Sequence, residues 1–334
     1  MINMNTRYLG LSLKNPLIAS SSPLTANIDD VKRLQDAGVS AIVLPSLFEE
    51  SIQLEQKQLD KFVHMQALGN VEADSYHPVP EEYKGEVDSY LEHLHTVKTA
   101  LDIPVIASLN GITNSGWLEY GKELMQAGAD ALELNVYYVA ANPDESGESV
   151  EERYLQLLKS IRENINIPVV MKLSSQFSSV ANMVSKLQAG GADGVVLFNR
   201  FYQPDIDLES LTISPQLSLS NQEEALLRVR WIALIRGRVD LSIAATGGFH
   251  TANDVLKALL AGADAVYLCS VLLKNGPEFC QNLLKDINDW LIDHEYESVD
   301  QMKGSVSQFC AIDPASYEHS NYRDVIKNYR GIKG

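Results

Sequence analysis

Residues 244–270, AATGGFHTANDVLKALLAGADAVYLCS, decide the fold prediction. A short apolar run ends at Gly247-Gly248, an amphipathic segment follows over 253–260, and a second apolar run over 265–268 ends at Cys269-Ser270. This order predicts a strand, a glycine turn, a helix and a second strand. Backbone N–H groups can converge at adjacent glycines, and the following helix adds its positive end, so the turn suits an anion such as phosphate. A tight turn without a ligand explains the same residues equally well.

The helix-to-strand junction of this stretch occurs four times along the chain. Its copies are DAGVSAIVL at 36–44, QAGADALEL at 126–134, AGGADGVVL at 189–197 and LAGADAVYL at 260–268. Four further apolar runs alternate with them: NPLIAS at 15–20, IPVIASL at 103–109, IPVVMKL at 167–173 and LSIAAT at 241–246. Eight buried strands that alternate with helices predict an α/β fold, a closed (β/α)8 TIM barrel. The two turns named above then follow strands seven and eight, where such barrels usually bind phosphate.

The length of 334 residues suits one barrel domain over 1–304, followed by a tail over 305–334 that is either docked or disordered. A long insertion follows the second strand, within 46–100, and includes a segment over 70–85 that is rich in Asp, Glu, Pro, His and Tyr. Insertions after a strand lie on the ligand-binding face of a barrel. We therefore expect a lid or a subunit contact there, against the alternative of a surface loop without a role.

Composition excludes several classes of protein. A hydrophobic content of 45% and a charged content of 21% are typical of globular proteins, and no apolar run is long enough for a membrane span. The N-terminus shows no secretory signal, and three cysteines without metal-ligand spacing indicate a reducing, cytoplasmic location and no metal site. The net charge of −17 argues against a nucleic-acid partner.

Polar side chains stand in or after the central strands. Glu133 and Asn135 are two apart in one strand and point the same way, while Lys172 lies in an otherwise apolar strand and Asn199 follows another. Such groups need partners when they are buried. Lys172 either pairs with Glu133 inside the barrel or points into its mouth, and Asn135 bonds either an internal partner or a ligand. Their positions near strand ends favour the mouth and a ligand.

Seven motifs of the chain resemble one family in their order and approximate spacing. They are Asn15-Pro-Leu-Ile-Ala-Ser-Ser21, Glu133-Leu-Asn135, Val170-Met-Lys-Leu173, Phe198-Asn199, the segment 205–209, Ala245-Thr-Gly-Gly248 and Leu268-Cys-Ser270. The chain resembles the dihydroorotate dehydrogenases, FMN-dependent barrels, over about residues 5–300. Because no membrane-associating extension precedes the first strand, the soluble, cytoplasmic branch is the best match.

The resemblance implies FMN with its ring over the strand ends and its phosphate at the two turns after strands seven and eight. The implied cofactor-binding residues are Ala19, Ser20, Ser21, Ser46, Asn135, Lys172, Asn199, Gly247, Gly248, Cys269 and Ser270. The implied substrate-binding residues are Asn135, Asn142, Asn199 and Arg200. Lys172 is expected near the electron-accepting edge of the flavin, as a catalytic residue.

The chain also departs from the family pattern. The family has a Cys or Ser base in the loop after strand four, where this chain has Tyr138, and it has a lysine after strand two, where this chain has Pro45. Arg200 replaces the serine that follows the strand-six asparagine, and a substrate-binding asparagine has no match near 67–69. A Tyr is a poorer base than a Cys at neutral pH, but a neutral Tyr can donate a proton. We therefore assign a catalytic role to Tyr138, either as a proton donor or as a base whose pKa is lowered by a cation such as Lys172, against the alternative that it only packs over the flavin. Proton donation is the easier role, and we expect weak or absent dihydroorotate oxidation.

The expected function is an FMN-dependent oxidoreductase that resembles dihydroorotate dehydrogenase, the enzyme of pyrimidine biosynthesis that converts dihydroorotate to orotate. Its substrate is either dihydroorotate or a diverged compound. Its expected partners are a small-molecule substrate, an electron acceptor and a second copy in a homodimer, with no nucleic acid and no membrane. Two alternatives stay open: a barrel that binds a phosphorylated metabolite and acts as a lyase or isomerase through Lys172, and a catalytically silent flavin-binding protein.

Overall fold

The computed structural model describes residues 2–67, 85–111, 117–214 and 216–318, together with 322, 326 and 327. Its strands are β1 (Thr6–Tyr8), β2 (Leu11–Leu13), β3 (Leu17–Ala19), β4 (Ala41–Phe48), β5 (Val105–Asn110), β6 (Ala131–Asn135), β7 (Val169–Leu173), β8 (Gly194–Leu197), β9 (Asp205–Asp207), β10 (Thr212–Ser214), β11 (Ser242–Thr246) and β12 (Ala265–Leu268). Its α-helices are α1 (Ile28–Asp36), α2 (Glu49–Ala67), α3 (Glu86–Ala100), α4 (Trp117–Gln126), α5 (Gly147–Arg162), α6 (Val180–Ala189), α7 (Glu224–Ile235), α8 (Ala252–Ala261), α9 (Ser270–Asn275), α10 (Phe279–Asp293) and α11 (Val299–Met302).

Eight parallel strands close into a barrel in the order β3, β4, β5, β6, β7, β8, β11 and β12. Nearly every residue of these strands is buried, because one face packs inside the barrel and the other against the helices. The TIM barrel predicted from the repeated junction is confirmed.

The aspartate of the repeated junction has a common structural role. Asp130, Asp193 and Asp264 each accept a backbone hydrogen bond at the start of the preceding barrel strand, at 2.7, 2.8 and 2.8 Å. The copy at 36–44 has Ser40 instead, whose hydroxyl donates to the carbonyl of Leu17 at 2.7 Å. The recurring polar residue therefore links neighbouring strands at the amino-terminal end of the barrel, where it replaces water as a partner for the buried backbone.

The hairpin of β1 and β2 closes this same end and was not predicted from the sequence. Tyr8, Leu9 and Leu13 are buried with side chains from the barrel interior, including Ile18 and Val170. The interior is a packed core at this end, so any ligand has to enter from the carboxyl ends of the strands.

The insertion after the second barrel strand contains α2 and leads into α3. The segment 68–84, which carries most of the predicted lid or subunit contact, lies outside the described residues. In the predicted tail, the backbone N–H groups of Val306 and Gln308 bond the carbonyls of Leu260 and Ala233 at 3.0 and 2.9 Å. Residues 305–318 thus dock on α7 and α8, most of 319–334 lies outside the description, and the domain boundary at 304 stays a prediction.

Candidate functional site

A cavity of about 530 Å³ opens at the carboxyl ends of the barrel strands. This volume and its mostly apolar wall are typical of small-molecule and cofactor sites. The predicted site residues that line it are Ser20, Ser21, Ser46, Asn135, Lys172, Asn199, Arg200, Gly247, Gly248, Cys269 and Ser270. The structure therefore brings together residues that lie as far apart in sequence as the first and the last barrel strand.

The turn after β11 needs glycine for its own packing. Gly247 and Gly248 have φ values of +88° and +94°, in the left-handed region that favours glycine. A Cβ atom on Gly248 would lie 2.4 Å from the backbone nitrogen of Ala225 and 3.0 Å from the carbonyl oxygen of Asn221. The turn thus packs against the first residues of α7, a constraint that the sequence did not reveal and that holds with or without a ligand.

Ser220 lies between the two turns predicted to hold a phosphate. Its hydroxyl accepts a hydrogen bond from the backbone N–H of Gly248 at 3.4 Å, and its own N–H donates to the hydroxyl of Ser270 at 3.1 Å. The ammonium of Lys274 donates to the Ser220 carbonyl at 3.1 Å. Sequence reasoning missed Ser220, because it lies 28 and 50 residues from the two turns, although small polar residues recur over 218–221.

Two titratable groups beside these turns are kept neutral. Burial, and secondarily the charge of Lys274, lowers the pKa of His250, whose Nε2 lies 3.2 Å from the Ser220 hydroxyl. Burial raises the pKa of the Cys269 thiol. An uncharged imidazole and an uncharged thiol fit a site that is formed mainly by backbone N–H groups and hydroxyls.

The amides of Asn135 and Asn199 bond each other above the barrel core. The Nδ2 atom of Asn199 donates to the Oδ1 atom of Asn135 at 2.6 Å. An amide group has two N–H donors and a carbonyl acceptor, so the pair keeps both kinds of group for a bound molecule.

Lys172 fits both interpretations that its sequence position allowed. Its ammonium donates to the Oε1 atom of Glu133 at 3.2 Å, inside the barrel, and its side chain lines the cavity floor. The Glu133 side chain is fully buried and that of Lys172 is 8% exposed. A buried carboxylate therefore lies directly below the cavity, balanced by one ammonium.

Strand register explains the remaining polar groups of the floor. Ser46 pairs with Ser108 between β4 and β5, and Ser108 pairs with Glu133 between β5 and β6. The two hydroxyl oxygens are 2.8 Å apart, and the Ser108 hydroxyl donates to the Oε1 atom of Glu133 at 3.4 Å. Sequence reasoning did not select Ser108, although a serine near the end of a buried strand is a usable signal.

Arg200 lines the cavity, but its guanidinium is bonded within the chain. Its Nε atom donates to Glu224 at 3.1 Å and its Nη2 atom to the Ser218 hydroxyl at 3.2 Å. Arg200 thus fastens the segment around Ser218 to the beginning of α7.

Three of the predicted site residues do not line the cavity: Ala19, Tyr138 and Asn142. Ala19 is buried in β3. Asn142 is exposed, and its Oδ1 atom accepts from the backbone N–H of Asp144 at 3.1 Å. Because these three side chains are not part of the cavity wall, any contact of theirs with a cofactor or a substrate would have to form outside that wall.

The Tyr138 hydroxyl donates to the Oε2 atom of Glu145 at 2.5 Å. Arg153 forms an ion pair with the same carboxylate, and its guanidinium lies 4.5 Å from the centre of the Tyr138 ring. The hydrogen bond to Glu145 is the main cause that raises the pKa of Tyr138. The hydroxyl therefore stays protonated at neutral pH, which suits a proton donor better than a base.

Within the described residues, no group of three or more His, Cys, Asp or Glu side chains is arranged to hold a metal ion. Over the same part of the chain, no helix combines the length and the apolar character that crossing a membrane requires.

Comparison with known proteins identifies the family. The sequence model of the dihydroorotate dehydrogenase family matches residues 82–291, more than half of the chain. The chain is 27% identical over 316 residues to dihydroorotate dehydrogenase A (fumarate) of Lactobacillus delbrueckii subsp. bulgaricus, across 86% of this chain and 97% of that protein. It is 23% identical over 321 residues to the catalytic subunit of dihydroorotate dehydrogenase B (NAD(+)) of Thermoplasma acidophilum, across 91% and 99%. With the corresponding subunit of a Geobacillus species, it shares 30% identity over 224 residues, across 63% and 70%. The chain therefore belongs to the dihydroorotate dehydrogenase family.

Proposed function

We propose that this chain is an FMN-dependent oxidoreductase that passes hydride equivalents between the flavin and a small CH–CH substrate. Dihydroorotate is the first candidate substrate, and a small molecule such as fumarate or a quinone is the candidate electron acceptor. The observation that carries this proposal is the cavity itself, because it combines a lysine floor, an amide pair and two adjoining glycine and serine turns. Family membership supports the same reaction class.

The residues present fit FMN. Ser20 and Ser21 are small, so they leave room for a flat ring over the strand ends, with Ala19 packed behind them. Lys172 supplies a positive charge at the floor, and Ser46 supplies a hydroxyl at the end of β4. Bound FMN would supply the hydride chemistry. The chain itself orients the ring, provides charge and excludes water.

The contacts of Ser220 support a phosphate at Gly247, Gly248, Cys269 and Ser270. Its hydroxyl oxygen accepts from the Gly248 N–H, which is the kind of contact that a phosphate oxygen makes. In the proposed complex, the phosphate takes over this donor and the Ser270 hydroxyl. Lys274, which bonds the Ser220 carbonyl, adds positive charge nearby.

The substrate would contact the amides of Asn135 and Asn199, with Asn142 and Arg200 as further candidates. The support is strongest for the amide pair, because both side chains line the cavity and retain a donor and an acceptor. Pro45 in place of the family's lysine removes a positive charge from this wall. This loss supports a substrate that differs from dihydroorotate.

The first test is cofactor uptake. We expect purified protein to be yellow, or to become so with added FMN, and to bind riboflavin about 10²-fold more weakly, because riboflavin lacks the phosphate and its charge-assisted hydrogen bonds. Fluorescence quenching of the two flavins measures both affinities. Protein that binds neither FMN nor riboflavin would overturn the proposal and leave the lyase or isomerase as the next hypothesis. Equal affinities for the two flavins would mean that the phosphate is not bound at the glycine and serine turns.

We expect Tyr138→Phe to slow substrate reduction and to leave the weak oxidation of dihydroorotate unchanged. The raised pKa keeps the hydroxyl of Tyr138 protonated, so the substitution removes a donor but no base. Loss of a general acid costs about 10²-fold or more in rate. Stopped-flow reoxidation of dithionite-reduced protein by fumarate or an enone measures it, with Tyr137→Phe as the neighbouring control. Rapid bleaching by dihydroorotate that disappears in Tyr138→Phe would instead show a tyrosine base.

We also propose a homodimer, and an exposed apolar surface on the hairpin of β9 and β10 supports it. Ile206, Leu208, Leu211 and Ile213 are 65, 80, 81 and 72% exposed, and Ile206 pairs with Ile213 across the hairpin. Clustered exposed apolar side chains of this kind mark interaction surfaces.

We expect Ile206→Glu to weaken the dimer roughly 10²- to 10⁴-fold, because burial of one isoleucine contributes about 1.5–3 kcal/mol and a symmetric dimer carries the substitution twice. Light scattering across a concentration series measures the dissociation constant. Ile292→Glu, at an exposed position on α10, is the control that should leave the dimer intact. A wild-type protein that is monomeric at micromolar concentration would contradict the proposal.

A further inference from the structure

We propose that Glu133 is the proton-exchanging group below the cavity, which takes up a proton through Ser108 and Ser46 when negative charge accumulates in the cavity. This inference rests on the proposed function, because bound FMN is the group whose charge changes when it is reduced. In this role Glu133 is a positioning residue, since it acts on the cavity through Lys172 and the two serines.

Hydrogen-bond counting fixes the direction of the chain of hydroxyls. A serine hydroxyl carries one proton, and that of Ser108 is donated to Glu133 at 3.4 Å. In the 2.8 Å bond between the two serines, Ser108 is therefore the acceptor and Ser46 the donor. The Ser46 oxygen, which lines the cavity, keeps a lone pair for a proton that arrives from that side. The hydroxyl protons of Ser46 and Ser108 thus both point from the cavity towards Glu133.

The carboxyl group of Glu133, below the two serines, has an oxygen atom that can accept a proton. Its Oε1 atom accepts from both Lys172 and Ser108, whereas no described residue bonds its buried Oε2 atom. An orphaned carboxylate oxygen in a dry interior is unfavourable, and protonation of the carboxyl group relieves that cost. Within the described part of the chain, Lys172 is therefore the one ammonium that bonds this carboxyl group.

The other titratable groups around Glu133 do not compete for the proton. Burial, with a smaller contribution from the Glu133 charge, raises the pKa of Tyr8, Tyr90 and Tyr267, so these phenols stay neutral. The hydroxyls of Tyr8 and Tyr267 lie 3.0 Å apart and bond each other. The Tyr90 hydroxyl donates to the Ser108 carbonyl and accepts from its N–H. Among the described residues, Lys172 is thus the cation that faces Glu133.

The net step takes one proton from bulk solvent and needs no other reactant. A water molecule in the cavity gives a proton to the Ser46 oxygen and regains one from the solvent, the Ser46 proton passes to Ser108, and the Ser108 proton passes to Glu133. Each oxygen along this path gains one O–H bond for the one that it loses, and Glu133 becomes a neutral acid. The hydroxyls of Ser46 and Ser108 then point towards the cavity, so the same two serines return the proton when the flavin is reoxidised. Electrons come from the reductant of the bound FMN, which is dithionite in the test below.

The consequence for the cavity is electrostatic. While Glu133 is ionised, the charge of Lys172 is largely compensated. Once Glu133 is protonated, the ammonium stands at the floor without a counter-ion, and it stabilises negative charge on whatever is bound above it. Proton uptake at Glu133 thus follows the charge of the cavity and balances it.

The test is redox-difference infrared spectroscopy combined with proton counting on the FMN-loaded protein. We expect dithionite reduction of the wild type to produce the C=O stretching band of a protonated carboxylic acid, sensitive to D2O. A pH-indicator dye should record one proton fewer per flavin in Glu133→Gln, which also lacks the band. Ser108→Ala should slow the appearance of the band about 10²-fold or more, the usual effect of removing a proton-transfer group, and Ser108→Thr should restore the rate.

Matched variants separate this role from a structural one. Asp264→Asn removes another buried, ion-paired carboxylate, at the opposite end of the barrel, and Ser40→Ala removes another buried hydroxyl, just before β4. Both should keep the band, its rate and the proton count. A yellow protein in which Glu133→Gln keeps the full proton count, or Ser108→Ala the full rate, overturns this inference alone. Protein that takes up no FMN fails earlier, at the proposed function, and the inference fails with it.

Discussion

Lys172→Met is expected to lower the free energy of unfolding by about 3–5 kcal/mol, the cost of removing one partner from a buried ion pair. Methionine has nearly the length of lysine but no charge. It leaves the fully buried Glu133 carboxylate with Ser108 as its hydrogen-bond donor among the described residues. Urea unfolding of the FMN-free protein, monitored by circular dichroism, measures the loss without a contribution from the cofactor.

The double variant with methionine at both Glu133 and Lys172 should recover most of this loss. Replacing both members of a buried pair by apolar residues of similar volume is often neutral or stabilising. Lys186→Met is the surface control, because Lys186 pairs with Glu151 at 2.9 Å in a partly exposed site, and it should cost less than about 1 kcal/mol. If Lys172→Met costs no more than this control, the buried pair of Lys172 and Glu133 contributes no more to stability than an exposed one.

The barrel could be predicted from the sequence because its signals are local. The junction of small residues with an aspartate recurs within nine-residue windows, and the aspartate bonds the adjacent strand wherever it occurs. Each strand is continuously apolar because both of its faces are buried. By contrast, β1, β2, β9 and β10 are three residues long and lie outside both the repeated junction and the alternating apolar runs, so no pattern marks them as strands.

The lining of the cavity was predictable where it follows from a residue's place on a strand. Lys172, Asn135 and Asn199 follow this rule, since strand ends determine what faces the cavity. Ser220 does not, because its position depends on α7 and on turns that are distant in sequence.

Tyr138 shows a second limit of sequence reasoning. Alignment with the family pattern places it in the loop after β6, but the direction of its side chain depends on Glu145 and Arg153. Neither residue belongs to the pattern. A tyrosine base would need a nearby cation to lower its pKa, whereas the hydrogen bond to the Glu145 carboxylate raises the pKa of Tyr138.

The glycine turn offers the second large effect, and Gly248→Ala is expected to destabilise the protein by roughly 2–5 kcal/mol. Left-handed backbone costs alanine about 1–2 kcal/mol, and overpacking adds about 1–3 kcal/mol. The overpacking arises because the new Cβ would lie 2.4 Å from the backbone nitrogen of Ala225, which cannot move without α7. The sequence alone left open a phosphate site and a tight turn without a ligand, and if only the phosphate needs this glycine, a substitution would give a folded protein without flavin.

Two other glycines separate these explanations. Gly10 also has a positive φ, +75°, but a Cβ there would meet nothing within 4 Å, so Gly10→Ala should show the backbone cost alone and keep its flavin. A Cβ on Gly247 would first meet the Arg228 side chain, at 3.0 Å, and a side chain can shift. We therefore expect thermal stability to fall in the order Gly10→Ala, Gly247→Ala, Gly248→Ala. If Gly248→Ala is as stable as Gly10→Ala and yet free of flavin, the phosphate explains this glycine and its contact with α7 does not. If it binds full flavin, the phosphate lies at another turn.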